Sequence, residues 1–589
     1  MTGGGESAAR GGRSAQGLIH GLGLAAGFAA LSVAMTWPLA AGPRSTLPAG
    51  SVDVWQNLWT FWWWKTALLE RGQSPFEATT LFFPAGARAL FHAHSPINMI
   101  LALPATATLG PAAAYNICLL AALTFSGMGA YALSRELGAG RDGSILAGLV
   151  FAFFPQRLEH TLENLNLFST ELLPFAVLFL LRTLRHPGTS APIGLGVAFA
   201  GNALLDWHLG LLAGFLLLPL ALVLILHRRP APAAGWVGRL ALAAAVAAAL
   251  TLPVTAPLLR EIAGPETYYQ KPPVDQGIDP VFLLLPSDRH LLLGRLTAPF
   301  YAGRRSYWEP GFVCYLGLTP LVLAGAAVAR RAPGSRFWAA LLVGLLILAL
   351  GRRLLWAGRL TPVAPLPFAL LAEAPILSLL RVANRFLIPG SLALAVLVGL
   401  GASALARGRL GWNLALGLLI LFEYLPWPYP VQAIDAPPIY GQLAGRADGA
   451  VLHVPFTLGP ETVQNMVAQT FHGQPIAGGY LSTTPPEAAA SVDRDPVLSR
   501  LQGLRPQIRR AVDVDHLARL GFGLVILAKD PRSFLESPQA AGNGPRRRTG
   551  RVGLDYRLWG RIYRGFEAGC GSPIHEDDRL AIFELPRPS

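Results

Sequence analysis

The stretch 48-PAGSVDVWQNLWTFWWWKTALLERGQSPFEATTLFFPAGARALFHAHSP-96 decides how this chain is read. It holds one early acid, Asp53, beside Trp55, Trp59, Trp62, Trp63 and Trp64, and it closes on His92 and His94. Tryptophan is favoured at headgroup level, where its ring meets lipid and its polar edge meets water. The pattern predicts a helix over 54–70 lying on a membrane surface; Lys65, Glu70 and Arg71 argue against a crossing. Asp53 falls at the N-terminal end of that helix, where the dipole favours a carboxylate. It is the candidate around which a lipid-facing site is built.

Composition sets the solvent. Of 589 residues, 52% are hydrophobic and 14% charged, with a mean hydropathy of +0.43. Soluble domains carry about 25% charged residues, so this is a membrane protein. Cys118, Cys314 and Cys570 are far apart, which excludes a disulfide framework and a zinc spacing. The net charge of +14 does not point to nucleic acid, because the basic residues sit mostly in short loops between apolar runs.

Outward from the opening stretch, residues 1–16 read as a disordered cytoplasmic N-terminus. The apolar run 17–40 is longer than a signal-peptide core of ~7–15 residues and reads as an uncleaved first helix. Further spans are expected near 112–134, 143–155, 168–184, 191–206, 209–227, 236–258, 311–330, 336–351, 386–406 and 411–427, about 11 with the first. Segment 97–110, short and interrupted by Pro104, reads as interfacial or re-entrant. Basic residues at Arg10/Arg13, Arg135/Arg141, Arg182/Arg185, Arg228/Arg229/Arg239, Arg330/Arg331/Arg336 and Arg407/Arg409 fall in alternate loops, which places the N-terminus inside. Outer loops then cover 41–96 and 259–310. After the prolines of 426-PWPYP-430 the patterning turns soluble, with β-type runs at 450-AVLHVP-455, 522-FGLVILA-528 and 579-RLAIFEL-585 and a helix near 461–472. The expected fold is mainly α: a polytopic membrane bundle over 17–427 and an extracytoplasmic α/β domain over 428–589. The basic run 546-RRRTGR-551 is a solvated loop.

Each polar group near a span end has a plain reading and a functional one. Asp53 is either a helix cap or a general base; sugar transfer from a lipid phosphate needs only one strong carboxylate, since phosphate leaves without a proton. A glycosidase pair of acids at fixed separation is not evident. His92 and His94, two apart, face one side of an extended segment and are candidate ligands for a divalent metal or a phosphate oxygen. Arg157 and His160 share a helical face in 156-QRLEHTLENLN-166, as do Glu159 and Glu163. In 206-DWH-208, Asp206 and His208 interrupt apolar runs, where ionisable residues usually face a cavity. Glu309, Arg381 and Arg385 stand at span entrances, and an arginine fork suits a phosphate. Snorkelling is the plain alternative for those arginines.

These features together resemble the GT-C superfamily of integral membrane glycosyltransferases: an N-in first helix, a long outer loop with an early acid, many further spans and a soluble outer domain. The phrases YWEPGFVCYLGLTPL, LLRVANRFLIPGSLALA and 472-HGQPIAGGYLS-482 are also similar to bacterial YfhO-like membrane proteins. The GT-C resemblance implies transfer from a polyprenyl-phosphate-linked sugar to a glycan, lipid or protein acceptor on the outer face of an inner membrane, with inversion. It makes Asp53 the catalytic acid of the first loop. Arg157, Arg381 and Arg385 would hold the phosphate, His92, His94, Asp206 and His208 would line the cleft or hold a metal, and His160 and Glu309 would contact substrate. The family often carries a second acid near the first; 53-DVW-55 has none, so Glu159, Glu163 or Asp206 would fill that place. A non-enzymatic lipid-glycan transporter would keep the cleft but tolerate loss of Asp53. A structural membrane protein would depend on its tail instead.

Overall fold

The computed structural model describes residues 4–228, 233–262, 277–301, 313–374, 377, 380, 382–405, 410–445, 449–503, 512–529 and 556–587. The helices run α1 (Gly4–Met35), α2 (Val52–Lys65), α3 (Pro96–Leu109), α4 (Pro111–Glu136), α5 (Arg141–Ala152) and α6 (Pro155–His160). Next come α7 (Leu165–Phe168), α8 (Leu173–Arg185), α9 (Ser190–Leu205), α10 (Trp207–Arg228), α11 (Ala233–Ile262) and α12 (Gly294–Tyr301). The bundle is completed by α13 (Leu318–Ala329), α14 (Ser335–Ala349), α15 (Pro367–Leu371), α16 (Leu387–Leu405) and α17 (Leu410–Tyr424).

Among the described residues, six helical segments are long and apolar enough to cross a membrane: Gly17–Met35, Pro111–Glu136, Leu165–Arg185, Trp207–Leu226, Gly235–Glu261 and Ala383–Leu405. The expected spans at α9, α13, α14 and α17 are apolar helices but shorter, and 143–155 becomes the 12-residue α5, ended where Pro155 opens α6. The short apolar segment at 97–110 is a helix, α3, with Pro104 inside it. Leu218, Leu222, Leu226, Leu250, Leu252 and Leu259 point outward from α10 and α11. So wide an apolar exterior is stable against acyl chains and not against water. This is a multi-pass membrane protein.

Small residues set how the helices meet. A Cβ at Gly148 of α5 would stand 2.4 Å from the Phe28 ring of α1 and 2.8 Å from the Gly127 carbonyl of α4. Only a bare backbone leaves room for that ring, and close backbone approach is what binds helices where lipid supplies no hydrophobic force. α16 is buried along almost its whole length against α5, α13 and α14.

Beyond α17, Val431–Ala433 returns to pair antiparallel with Thr46–Pro48, which ties the C-terminal region to the first loop. Short α18 (Ile439–Gln442) precedes a four-stranded sheet in the order Ala450–Val454, Phe522–Ala528, Leu580–Glu584, His575–Glu576. Its first pair is parallel and the others antiparallel. All three expected strands are present, and the expected helix is α19 (Val463–His472). Leu452, Val525, Ile562, Phe566 and Phe583 fill a core of their own. The basic run at 546–551 lies outside the described residues.

The helix after Asp53 differs from expectation. It does not lie on a surface: every residue from Val54 to Trp64 of α2 is buried, and α19 packs on it. At 100° per residue Trp55, Trp59, Trp62 and Trp63 fall within about 100° of one another and Trp64 on the far side; it is the burial of Gln56, Asn57 and Thr60 as well that puts every side of the helix in an interior. Trp59 and Trp63 stack at 5.8 Å, and Trp59 Nε1 donates to Gln469 Oε1 at 2.7 Å. The headgroup role assigned to the indole edges is taken for Trp59 by that amide of the C-terminal region, and for Trp63 and Trp64 by Pro75 O and His94 Nδ1 of the same outer stretch.

Candidate active site

Ser51 is the cap of α2, the duty assigned to Asp53: its Oγ accepts from the Asp53 N–H at 3.2 Å. Asp53 is half-buried in the first turn, and its Oδ1 accepts a hydrogen bond from Tyr480 Oη at 2.9 Å. Gln56 Nε2, one turn on, donates to the Tyr480 carbonyl at 2.9 Å. Burial and the Asp53 carboxylate together push the Tyr480 phenol well above its ordinary range, so it acts as a donor. The carboxylate is thus aimed by a tyrosine from the C-terminal region.

The loop before α2 is pressed against the turn after α6. Ser51 N donates to the Leu162 carbonyl at 2.9 Å, and Ser51 Oγ donates to the Glu163 carbonyl at 3.3 Å. At Gly50 an added Cβ would lie 1.5 Å from Leu162 O, a contact no side chain survives. This junction sets Asp53 beside the polar segment 155–166.

Along that segment the structure brings together residues the sequence nominated separately. Arg157 is buried, 4.2 Å from the Phe151 ring, and donates to Ser126 Oγ and Thr170 Oγ1. Burial lowers its guanidinium to about 9, which still leaves it charged at neutral pH. His160 is fully buried; desolvation, then the charges of Arg385 and Arg157, hold its imidazole down at about 3, so it is neutral. Asp206 accepts from His208 N and Nδ1, both at 2.6 Å, and from Asn166 Nδ2. Arg385, itself buried rather than snorkelling, acts electrostatically on both Asp206 and His160. Gln156 Nε2 donates to Asn384 O at 3.0 Å and fastens α6 to the turn that carries Arg385. Arg157, His160, Asp206, His208 and Arg385 therefore form one polar cluster. Glu159 is turned toward Arg289, 3.6 Å away. Glu309 and Arg381 lie outside the described residues.

His92 and His94 do come together, with ring centroids 4.7 Å apart. Their nitrogens are committed to protein, however. His94 Nδ1 accepts from Trp64 Nε1 at 3.1 Å and its Nε2 bonds the Ala89 carbonyl at 2.7 Å. Burial keeps its imidazole down at about 4. His92 spans Thr60 Oγ1 at 3.0 Å and Ser482 Oγ at 3.2 Å. A metal would need lone pairs that these bonds use, so the pair does not suit an ion as folded; it pins the 89–95 loop between α2 and the C-terminal region. Among the described residues no group of three or more His, Cys, Asp or Glu is placed to hold a metal.

Three participants escape a reading by sequence alone. Tyr480 lies within 472-HGQPIAGGYLS-482, a phrase noticed only for its likeness to other proteins. Asn166 ends the polar run already singled out, and an amide there is a signal for a partner. Gln469 stands in a helix with no local mark at all.

Comparison with known proteins bears on the fold. No family model matches the sequence, and no curated protein matches it. The single-particle cryo-EM structure of the arabinofuranosyltransferase AftD from Mycobacteria superposes with a TM-score of 0.60 at 16% identity, over 96% of this chain and 40% of AftD. A second AftD structure gives 0.51 at 18%, over 86% and 36%. This chain spans about two fifths of AftD's length. ArnT from Cupriavidus metallidurans, bound to undecaprenyl phosphate, matches over 95% of this chain and 97% of its own at 12% identity; at a TM-score of 0.41 no argument rests on it. The chain shares its fold with AftD over 96% of its length. None of these structures speaks to the YfhO-like resemblance.

Proposed function

We propose that this chain is a membrane glycosyltransferase that moves a sugar from a polyprenyl-phosphate donor to an acceptor hydroxyl at the outer membrane face. The observation that carries the proposal is the Asp53 carboxylate, half-exposed at the start of α2 and oriented by Tyr480, in a fold shared with AftD. In this reading Asp53 takes the acceptor's O–H proton as the acceptor oxygen forms its bond to the anomeric carbon. The bond from that carbon to the donor phosphate breaks, its electron pair leaves with the polyprenyl phosphate, and displacement from the opposite face inverts the centre. The phosphate needs positive charge and not a proton. Arg385 supplies it, with Arg157 behind and neutral His160 as a donor or acceptor. Asp206, held by His208 and Asn166, keeps the Arg385 fork in place. The N-terminus is assigned to the inside of a bacterial-type inner membrane and the C-terminal region to the outside.

The test is transfer by the reconstituted chain from a polyprenyl-phosphate sugar, wild type against Asp53→Asn. Since Ser51 is the cap, the asparagine leaves the start of α2 intact. General base catalysis contributes ~10²–10⁴-fold, and turnover should fall by that much with donor affinity nearly unchanged. Near-normal transfer by Asp53→Asn refutes the assignment. Running the same assay with a chelator and with added magnesium decides whether a divalent ion takes part.

A further inference from the structure

At the end of the bundle away from Asp53, α1, α4, α5 and α8 border an open depression of ≈ 630 Å³ lined by His20, Tyr131, Arg135, Glu136, Arg141 and Arg182. Its distance from the site follows from α4. Asn116, near the start of that helix, donates to the Pro43 and Thr46 carbonyls of the loop leading to Asp53. Arg135 is in its last turn. From Asn116 to Arg135 the helix rises roughly 28 Å at ~1.5 Å per residue, close to the ~30 Å of a hydrocarbon core. Arg141 likewise opens α5, whose other end leads into α6 and Arg157. The two polar sites face opposite leaflets.

The depression carries positive charge in excess. Glu136 is its one acid among these lining residues, and that carboxylate is taken by Arg182 Nε at 2.9 Å, with Arg185 at 3.7 Å. Arg135 donates one bond to the Ala139 carbonyl, and Arg141 meets only His20 Nδ1 at 3.3 Å; neither has a carboxylate partner among the described residues. His20 Nε2 in turn bonds Tyr131 Oη at 3.1 Å, which fixes the wall between α1 and α4. Two guanidinium forks are thus left with open N–H groups in a depression large enough for a headgroup. Leu18 and Leu22, two residues to either side of His20, lie on the far face of α1 and are exposed at 65% and 61%. The basic depression itself opens at the depth of a leaflet's phosphates, where a phospholipid headgroup is always at hand and a free phosphate is not.

We infer that this depression binds the phosphate of an anionic glycerophospholipid, with Arg135 and Arg141 as its donors. The site does not depend on the transferase assignment, and its test reads lipid and not sugar transfer. Basic pockets between spans attract anionic headgroups at a strength of roughly five-fold per arginine.

The experiment uses the full chain in nanodiscs and native mass spectrometry, with phosphatidylglycerol against phosphatidylcholine as probes. Phosphatidylglycerol should be retained selectively by the wild type. Arg135→Gln with Arg141→Gln should weaken that retention roughly 30-fold, five-fold for each arginine. Arg330→Gln with Arg336→Gln, which removes two exposed arginines at another turn between helices, should leave it unchanged. Equal loss from both pairs overturns the site in favour of diffuse surface attraction. Equal retention of the two lipids overturns it as well. Displacement of phosphatidylglycerol by millimolar inorganic phosphate would assign the depression to a free anion and overturn the lipid reading.

Discussion

Replacing Gln469 by leucine tests whether one buried amide locks the C-terminal region onto α2. Gln469 is fully buried and makes three bonds: its Oε1 accepts from Trp59 Nε1 at 2.7 Å, and its Nε2 donates to Thr80 O at 2.8 Å and Gln474 O at 2.9 Å. Leucine has a similar size and no polar atom. Gln474 is half-exposed and its carbonyl can turn to water, and the Thr80 carbonyl keeps the Ile476 N–H at 2.9 Å, but Trp59 is fully buried. One polar group, Trp59 Nε1, is therefore orphaned at ~1–3 kcal/mol, and the seam should weaken by about that much. Because unfolding of a membrane protein is seldom two-state, the quantity to read is local opening, as amide hydrogen exchange of α19 in detergent. Each ~1.4 kcal/mol is tenfold, so protection of the Val463–His472 amides should fall at least ~5-fold while α16 is unaffected. Trp59→Phe keeps most of the ring and orphans Oε1 alone, so its effect should be of the same order. Protection within about twofold of wild type in Gln469→Leu would falsify the claim that this amide holds the two regions together.

The remaining predictions concern the site, the topology and the outer region. Gly50→Ala drives a methyl into the Leu162 carbonyl, so the loop before Asp53 must shift; since a ~1 Å misplacement costs ~10²-fold, transfer should drop by that order while the chain still inserts. Unchanged turnover would show that this contact does not position Asp53. A reporter fused after Pro430 should be active only in its exported form, and cytoplasmic activity would reverse the orientation. Asp495 accepts from Val497 N at 2.9 Å and Leu498 N at 2.8 Å and pairs with His516 at 2.7 Å. Burial alone would raise its carboxyl, but the Leu498 amide, His516 and the Val497 amide outweigh it and hold it below the usual range. A depressed carboxylate stabilises the fold above its unfolded value near ~3.9 and loses that contribution as pH falls through the lower folded value. Asp495→Ala should therefore lower Tm at pH 6, and the gap to wild type should close below about pH 4; a gap of equal size at pH 3 would contradict the bond pattern.

Much of this protein was legible in the order of its residues. Hydropathy is a local sum over ~20 positions, so the apolar segments, the basic turns and the change of character after α17 could be marked without any coordinates. Strand period and helix period did the same for Ala450–Val454, Phe522–Ala528 and Val463–His472. Span lengths were less legible, because proline and short helices such as α5 and α6 divide what a window average joins. The tryptophan helix was misread for a related reason: an indole suits a headgroup layer and a protein interior equally, and only its neighbours decide. Four of the five indoles share one face of α2, as they would on a surface helix, so nothing local marked the burial of the other sides.

The site followed the same division. Asp53, Arg157, His160, Asp206, His208 and Arg385 could be nominated because ionisable residues at span ends are rare and costly. Their partners could not, since a hydrogen bond such as Tyr480 to Asp53 joins residues 427 apart and leaves no local trace. Likewise nothing in FHAHSP shows that Trp64, Ala89, Thr60 and Ser482 claim the histidine nitrogens. Residue types and periodicity thus determined which groups can ionise and which segments enter lipid. Only the tertiary packing decided which carboxylate is aimed, which imidazoles are spent on structure, and which arginines are left facing a depression, because each of these depends on groups distant in sequence.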